Sequence, residues 1–516
     1  SEVCLTPASI TKLITTATAL EILGPDFRFK TELAYDGNIT NGVLNGNLYI
    51  VGGGDPTLGS TYLKNSGFLT KWVAAVKALG IRTINGAVVA DASIFDHMPI
   101  PPGWLWEDLG NYYAAGVFGL SVYDNTMSLT LNTQQTGQKP TVVSTSPKIP
   151  DMVLENNLIS EGNSDQGYFY GMPYSNYRIV MGKVPSGKKQ FVLRGDIPNP
   201  PMLLASQLTE ELVKDGVNVK QPASDQPKGN EKRTVICTIE SPTLTEIIKE
   251  TNFRSLNHYA EHLLKYLALE RQKSATLDKS LEVVKHFWGQ RGVETRNMFM
   301  LDGSGLSPHA AIAPKVFNEV LRYMYNKSDN RDVFMQSLPV AGESGTVKSL
   351  FKKTSLEKRA HLKSGSMSRV QCYSGYVEYN DKVYVVTVMV NNFGNALNAS
   401  AQQLMSKHEI PFELLLPIID ETGSDSGMFD NVNQKVGEIA GQVGTTPQAW
   451  NSSIFNMIRN LSDTVIVPIA GLILAFVMTL ELIQMVSEKN NMHGDVDTWM
   501  FFKWAFKTAA AVLIVT

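Results

Sequence analysis

Cysteine is scarce in this chain of 516 residues: Cys4, Cys237 and Cys372 stand far apart and without C-x-x-C spacing, so neither a disulfide framework nor a thiolate zinc site is indicated. Charge bias is missing too. A formal net charge of −3 leaves no electrostatic footprint for a nucleic-acid partner. No internal repeat is visible, and the opening Ser1-Glu-Val-Cys-Leu-Thr-Pro7 has none of the basic start, apolar run and small-residue cleavage site of a secretory signal. The last residues, 509–516, form an apolar run with no polar exit, so both ends read as cut.

What remains is enough for several domains. Apolar residues at 43% and charged residues at 18% are near globular values, with a modest charge deficit that a membrane segment accounts for. Residues 9–23 carry no Gly or Pro and are halted by Gly24-Pro25, which predicts a helix opening at Ser9. Two alternating runs between Phe29 and Val51 flank Asn/Gly turns and predict a hairpin. A helix near 68–79 and a strand near 87–90 follow. From Pro99 to about Pro227 short β-like runs among Pro, Gly and Asn predict a β-rich insertion. Helices return from about Leu244 to Tyr325, and three β-like runs between His361 and Asn391, with a helical run from Ala396, complete an α+β pattern of antiparallel sheet and covering helices.

Beyond Pro417 the character changes. A solvated linker, 418–462, leads to a membrane region, 463–516. Its low-charge tract 464–486 approaches the roughly 20 residues that span a bilayer, and a second tract, 499–516, carries Lys503 and Lys507.

The chemistry begins at Ser9-Ile-Thr-Lys12. Ser and Lys at i and i+3 share a helix face, and a serine hydroxyl becomes a nucleophile when a desolvated lysine of lowered pKa takes its proton. Alone, the pattern is as well explained by an exposed helix start with an ordinary lysine. Ser255-Leu-Asn257 and Lys363-Ser364-Gly365-Ser366 supply the company. Each has a bland reading as well, a helix cap for the first and an edge-strand lysine for the second. Three elements in the order S-x-x-K, S-x-N, K-S/T-G form the signature of penicillin-binding proteins and serine β-lactamases.

The long interval from Ser9 to Ser255 resembles the D-alanyl-D-alanine carboxypeptidases of the penicillin-binding protein 4 type, peptidase family S13. So do Leu48-Tyr-Ile-Val-Gly-Gly-Gly-Asp-Pro-Thr-Leu58, the stretch from Trp104 to Asn125, Asp302-Gly-Ser-Gly-Leu-Ser307 and Ala341-Gly-Glu-Ser-Gly-Thr346. The resemblance covers Pro7 to about Pro417. It implies a transpeptidase-like catalytic domain split between 1–30 and 235–417, with β-rich domains inserted at 31–234. It also implies a leading segment for export and for part of the catalytic sheet, which this chain, opening at the nucleophile motif, is expected to lack. By the same resemblance Ser9 attacks the carbonyl between two terminal D-alanines, Lys12 takes its proton, Ser255 passes a proton to the leaving amine and Asn257 orients Lys12 and the substrate amide. Lys363 gives positive potential to the terminal carboxylate, Ser364 donates to it, and the amides of Ser9 and Ser366 form an oxyanion hole beside Gly365. Trp104, Trp106, Tyr112 and Met367 are expected to line a side-chain pocket. The implied substrates are peptidoglycan stem peptides, with β-lactams as inhibitors, no cofactor, and a periplasmic or cell-envelope location.

Two rival readings have their own residues. His258-Tyr-Ala-Glu261-His262 fits the inverted zinc-protease pattern H-x-x-E-H. Residues after about 420 resemble a conjugative-transfer membrane subunit of the TrbL/VirB6 kind, which admits a non-catalytic membrane component, or a chimera of the two.

Overall fold

The computed structural model describes residues 2–227, 229, 232–392 and 416–417, all within the compact unit Ser1–Glu421. The fold is mixed α+β with several sheets. The helix Thr11–Leu23 is its axis. It begins after a single tight turn, Ala8–Ile10, and stops at Gly24, whose φ of 82° suits glycine. Thr11 to Leu20 are all buried, which a threonine-rich helix tolerates because its hydroxyls find carbonyls: Thr16 Oγ1 donates to Lys12 O at 2.7 Å, Thr18 Oγ1 to Ile14 O at 2.6 Å and Thr15 Oγ1 to Gly303 O at 2.7 Å. The nucleophile candidate therefore lies on the turn before the helix rather than within it.

Around this axis pack the helices Leu244–Arg254, Asn257–Gln272, Leu277–Gly289 and Pro314–Asn326. Thr243 and Glu246 cap the first of them reciprocally. The strands Ala360–Met367, Val370–Tyr379 and Lys382–Asn391 form an antiparallel sheet in that order, extended by Leu416–Pro417. The second and third strands are joined through Asn380 and Asp381, both at positive φ, the geometry of a tight hairpin turn. One apolar cluster unites Ala8 to Phe29 with Leu244 to Val385; a second, separate cluster runs from Leu33 to Ile239.

The second cluster lies beneath the sheet Thr234–Glu240, Lys30–Tyr35, Leu48–Val51, Val88–Asp91 and its neighbours. The two runs expected to form a hairpin do pair, Leu33 opposite Ile50. The Asn/Gly stretch between them, however, folds into its own small hairpin, Asn38–Thr40 with Val43–Asn45, in a different sheet. Helix Phe68–Ala78 forms where expected, and helix Pro200–Lys214 was not foreseen. Pro200-Pro201 reads as loop punctuation, yet proline suits the first helical positions, where no amide partner is needed. Asn199 completes the start, its side chain accepting from Met202 N at 3.1 Å.

The helical run expected from Ala396, the linker 418–462 and the apolar tracts 464–486 and 499–516 lie outside the described residues. Among the described residues no helix is long and apolar enough to cross a membrane.

Candidate active site

Ser9 is presented by a strained turn. Ala8, just before it, has a φ of 47°, a region that costs non-glycine residues roughly 1–2 kcal/mol. Two glycines admit the turn to its place. A Cβ on Gly305 would stand 1.9 Å from Ala8 O, and one on Gly365 would stand 2.9 Å from Ser9 N. The turn is thus wedged between the Asp302-Gly-Ser-Gly loop and the edge strand Ala360–Met367.

Lys12 is fully buried, with Nζ 3.0 Å from Ser9 Oγ, 2.6 Å from Asn257 Oδ1 and 2.7 Å from Ser304 O. Burial pushes its pKa down to about 7 against the raising influence of the nearby Asp302 and Glu261 carboxylates. A neutral amine has two N–H donors and one lone pair. Asn257 Oδ1 and Ser304 O can only accept, so they take both donors and leave the lone pair for Ser9. Asn257 is itself fixed, its Nδ2 donating to Tyr113 O at 2.8 Å.

Ser255 caps helix Leu244–Arg254 in the left-handed conformation, φ 60° and ψ 44°. Its Oγ accepts from Lys363 Nζ at 2.9 Å. Lys363 is completely buried, also donates to Ser364 O at 2.7 Å, and is held well below the usual lysine range by burial and by Lys12. Its nitrogen is thus turned to Ser255 Oγ and Ser364 O, in surroundings that disfavour the ammonium form.

The strand Ala360–Met367 is at the edge of the sheet, and among the described residues its outer side is hydrogen-bonded at its start, where Leu362 N donates to Pro339 O at 3.0 Å. Outward amides recur every second residue, so Ser364 and Ser366 also point theirs outward. Ser366 directly follows Gly365, whose Cα packs against the Ser9 turn. Ser364 Oγ donates to Thr346 Oγ1 at 2.7 Å.

A cleft of about 640 Å³ adjoins the network. Ser255 and Asn257 line it, with Tyr112, Tyr113, Arg194 and Thr346. Ser9, Lys12 and Lys363 are not among its lining residues. Tyr112 lines the cleft, with the Arg194 guanidinium 4.5 Å from its ring centroid. Trp104 is buried, and its Nε1 donates to Asp302 Oδ2 at 2.9 Å. Trp106 is exposed beside Tyr170, and Met367 packs against the main apolar cluster.

The zinc-protease pattern does not assemble. Glu261 accepts from Gly303 N, at 3.0 and 2.9 Å, and from Ser304 N at 2.8 Å, while His262 is engaged with His258 O at 2.9 Å and Ser121 Oγ at 2.8 Å. Burial and the neighbouring Asp302 raise Glu261 to about 7. Among the described residues no three metal-ligating side chains converge. Glu261, Asp302 and Ser304 are the positioning groups the residue-by-residue reading missed. Asp302-Gly-Ser-Gly was visible as a motif, but its backbone carbonyl toward Lys12 has no sequence signal.

Residues 1–410 match the model of the D-Ala-D-Ala carboxypeptidase 3 (S13) family, and residues 432–516 match that of TrbL/VirB6 plasmid conjugal transfer like proteins. The chain is 29% identical to the D-alanyl-D-alanine carboxypeptidase of Actinomadura sp. (strain R39), covering 72% of this chain and 71% of that protein. To the D-alanyl-D-alanine carboxypeptidase DacB of Haemophilus influenzae it is 26% identical, covering 72% and 77%. The crystal structure of penicillin binding protein 4 from Haemophilus influenzae superposes with a TM-score of 0.68 at 25% identity, over 78% of this chain and 90% of that one. A second structure of that protein, complexed with a novel β-lactam, gives 0.64 at 24% identity. The chain belongs to the D-Ala-D-Ala carboxypeptidase 3 (S13) family, and it is a serine peptidase of the D-Ala-D-Ala carboxypeptidase kind.

Proposed function

We propose that this serine peptidase cleaves the D-Ala-D-Ala ends of peptidoglycan stem peptides through an acyl-enzyme on Ser9. The observation that carries the assignment is the hydrogen-bond count at Lys12, whose two acceptors leave the lone pair for Ser9 Oγ. Ser9 Oγ attacks the carbonyl carbon while its proton passes to Lys12. The carbonyl oxygen, now negative, is held by the amides of Ser9 and Ser366. As the C–N bond breaks, the Ser255 hydroxyl gives its proton to the leaving D-alanine nitrogen, and the proton that Lys12 took from Ser9 returns to Ser255 along a path to which Lys363, hydrogen-bonded to Ser255 Oγ, belongs, leaving Lys12 neutral. Water then attacks the ester carbonyl and gives a proton to Lys12, which passes it to Ser9 Oγ as the C–O bond breaks, freeing Ser9 and the carboxylic acid product.

Carboxypeptidase release of terminal D-alanine and endopeptidase cutting of a D-Ala-to-diaminopimelate cross-link share this acyl-enzyme. β-Lactams, which mimic the D-Ala-D-Ala terminus, are taken as stable acylating agents of Ser9; the co-crystallised β-lactam of the Haemophilus protein supports this. The division into a catalytic domain, 1–30 and 235–417, and an insertion, 31–234, is supported by the two separate apolar clusters, whose memberships change between Phe29 and Leu33 and between Ile239 and Leu244. A cell-envelope location follows from the substrate. Membrane attachment through the tracts 464–486 and 499–516 is supported by their apolar sequence and by the TrbL-like match. That match also favours a second reading, in which the C-terminal part serves a transfer apparatus.

The test is covalent labelling with a labelled penicillin. Wild type is expected to gain one adduct on Ser9 and Ser9→Ala none; no attachment to wild type, or equal attachment to both, overturns the assignment. Mass analysis of products from purified muropeptides then separates carboxypeptidase from endopeptidase action.

A further inference from the structure

The strands Val153–Ser160, Gln166–Tyr170 and Tyr177–Val184 form a three-stranded sheet within the insertion, with Tyr177–Val184 in the middle. Side chains alternate between the two faces of a strand. One face is closed: Leu158, Phe169, Val180 and Val184 belong to the second apolar cluster. The other points to solvent, and the register sets its rows. Tyr168 lies opposite Met181, Tyr170 opposite Ile179, and Tyr177 opposite Val153. Tyr168 and Tyr177 are each 44% exposed. A solvent-facing side of a sheet is ordinarily polar, whereas this one carries three tyrosines with polar groups beside them. Tyr177 Oη donates to Glu155, and Asn157 Nδ2 donates to Glu155 Oε1 at 2.7 Å.

The aromatic surface continues to the cleft. The ring of Trp106, a residue 59% exposed, stands 6.0 Å from that of Tyr170. Trp106 opens the loop that ends at Tyr112 and Tyr113, both on the cleft wall. That loop is fastened to the sheet halfway along: Phe169 N donates to Asn111 Oδ1 at 3.0 Å, and a Cβ on Gly110 would stand 2.8 Å from Tyr170 C. At its end it is fastened to helix Asn257–Gln272, where Tyr113 O accepts from Asn257 Nδ2. Among the described residues the exposed aromatic side chains are Trp106, Tyr112, Tyr168, Tyr174, Tyr177 and Phe299, so all but Phe299 gather between residues 106 and 177. Exposed apolar surface concentrated in this way marks a place of interaction.

We propose that the outward face of this sheet, with Trp106, is a docking surface for the glycan strand of peptidoglycan, which stacks on Tyr168, Tyr170, Tyr177 and Trp106 while a stem peptide of the same strand enters the cleft. This rests on the reading of the cleft as the place where stem peptides are cleaved. A pyranose ring has C–H bonds on its faces and hydroxyls around its rim. The C–H bonds meet the electron-rich face of an aromatic ring, and the rim hydroxyls meet Glu155, Asn157 and the tyrosine hydroxyls. Surface and cleft are the two ends of one loop, and the stem is joined covalently to the sugar, so a single polymer fits both. A lipid surface would call for unpaired basic side chains, whereas Lys183, outward on the same sheet, is paired with Glu161 at 2.9 Å.

The experiment uses the full chain with peptide-free glycan strands, with glycan strands carrying D-Ala-D-Ala stems, and with the sugar-free stem pentapeptide. The double variant Tyr168→Thr/Tyr177→Thr, in which threonine keeps the strand propensity, is expected to bind peptide-free glycan about tenfold more weakly, the loss of two ring contacts. On stem-bearing strands its KM should rise by a similar factor at unchanged kcat. On the free pentapeptide kcat/KM should change less than about twofold. Tyr168→Phe/Tyr177→Phe, which keeps both rings, should retain most of the glycan affinity, and Trp106→Ala should weaken it by itself. Wild type that does not bind peptide-free glycan overturns the proposal, as does a threonine variant that binds it normally or loses equally on the free pentapeptide. Self-association, or binding to phosphatidylglycerol vesicles, that the threonine variant abolishes in the absence of any glycan binding gives the face another occupant and also overturns it. The penicillin adduct on Ser9 separates the two levels. Glycan binding that responds to the variants, without an adduct, upholds the surface and overturns the Ser9 reading, whereas a normal adduct without glycan binding overturns the surface alone.

Discussion

Gly365 packs against the backbone of Ser9, so closely that a Cβ on Gly365 would stand 2.9 Å from Ser9 N and 2.8 Å from Pro7 O. A side chain there would push directly on the turn that presents Ser9. Gly365→Ala is therefore expected to slow acylation of Ser9 by penicillin on the order of 100-fold, the scale of a misplacement near 1 Å. Its thermal midpoint should fall only a few degrees. Acylation at the wild-type rate would show that the strand and the turn are not coupled.

The pH dependence follows from Lys12. Its folded pKa of about 7 lies below the ordinary 10.5, and in the proposed reaction its neutral form is the base. Acylation should rise with pH up to about 7 and level off above it. Glu261, raised to about 7 by burial and Asp302, titrates in the same range, so the apparent midpoint belongs to the group of charges. For stability the sign is fixed: between 7 and 10.5 the unfolded chain holds a proton that folded Lys12 has released, so this residue makes stability increase with pH across that window. A stopped-flow acylation profile flat from pH 5.5 to 8.5 would remove Lys12 as the base.

Asn257→Asp tests the same balance from the other side. A carboxylate in place of Oδ1, which lies 2.6 Å from Lys12 Nζ, favours the ammonium form. The acylation profile should move to higher pH by about one unit or more, with a lower rate at pH 7. An unshifted midpoint would mean that Lys12 does not set the profile.

Trp104→Phe is expected to cost about 1–2 kcal/mol of stability, because it removes one of the donors to buried Asp302. Selectivity among substrates with different stem side chains should be unchanged. Chemical denaturation and parallel kinetics on two such substrates check this, and altered selectivity at full stability would return Trp104 to the substrate pocket.

The parts of this site legible in the sequence are those whose chemistry is local. Ser9 and Lys12 meet because they are three residues apart where a tight turn runs into a helix, and Ser255 and Lys363 are recognisable because short motifs carry them. The alternation from His361 to Asn391 announced its strands in the same way. Long-range closure was not legible. Nothing near Trp104 says that its indole nitrogen will be consumed by Asp302, nor does anything near Lys363 say that burial will disfavour its charge. Thr346 and Ser364 lie on separate elements, and only the stitching of Ala341 to Ala360 makes them neighbours. Helix Pro200–Lys214 was hidden for a different reason: proline ends most helices but can also begin one.

The pairing of Lys30–Tyr35 with Thr234–Glu240 has a consequence for how the two halves of the main apolar cluster find each other. Lys30 lies opposite Glu240, so the chain leaves that cluster and returns to it about one strand spacing away, roughly 5 Å. Clasped in this way, the whole excursion is for the remainder of the molecule a hairpin of large mass and negligible span. The entropy of closing so long a loop grows only with the logarithm of its length, and the clasp discharges it locally. The ladder fixes where the excursion leaves and re-enters, so length can change at its far end while Ser9 and Ser255 stay in register, as long as Tyr113 and Trp104 still reach Asn257 and Asp302.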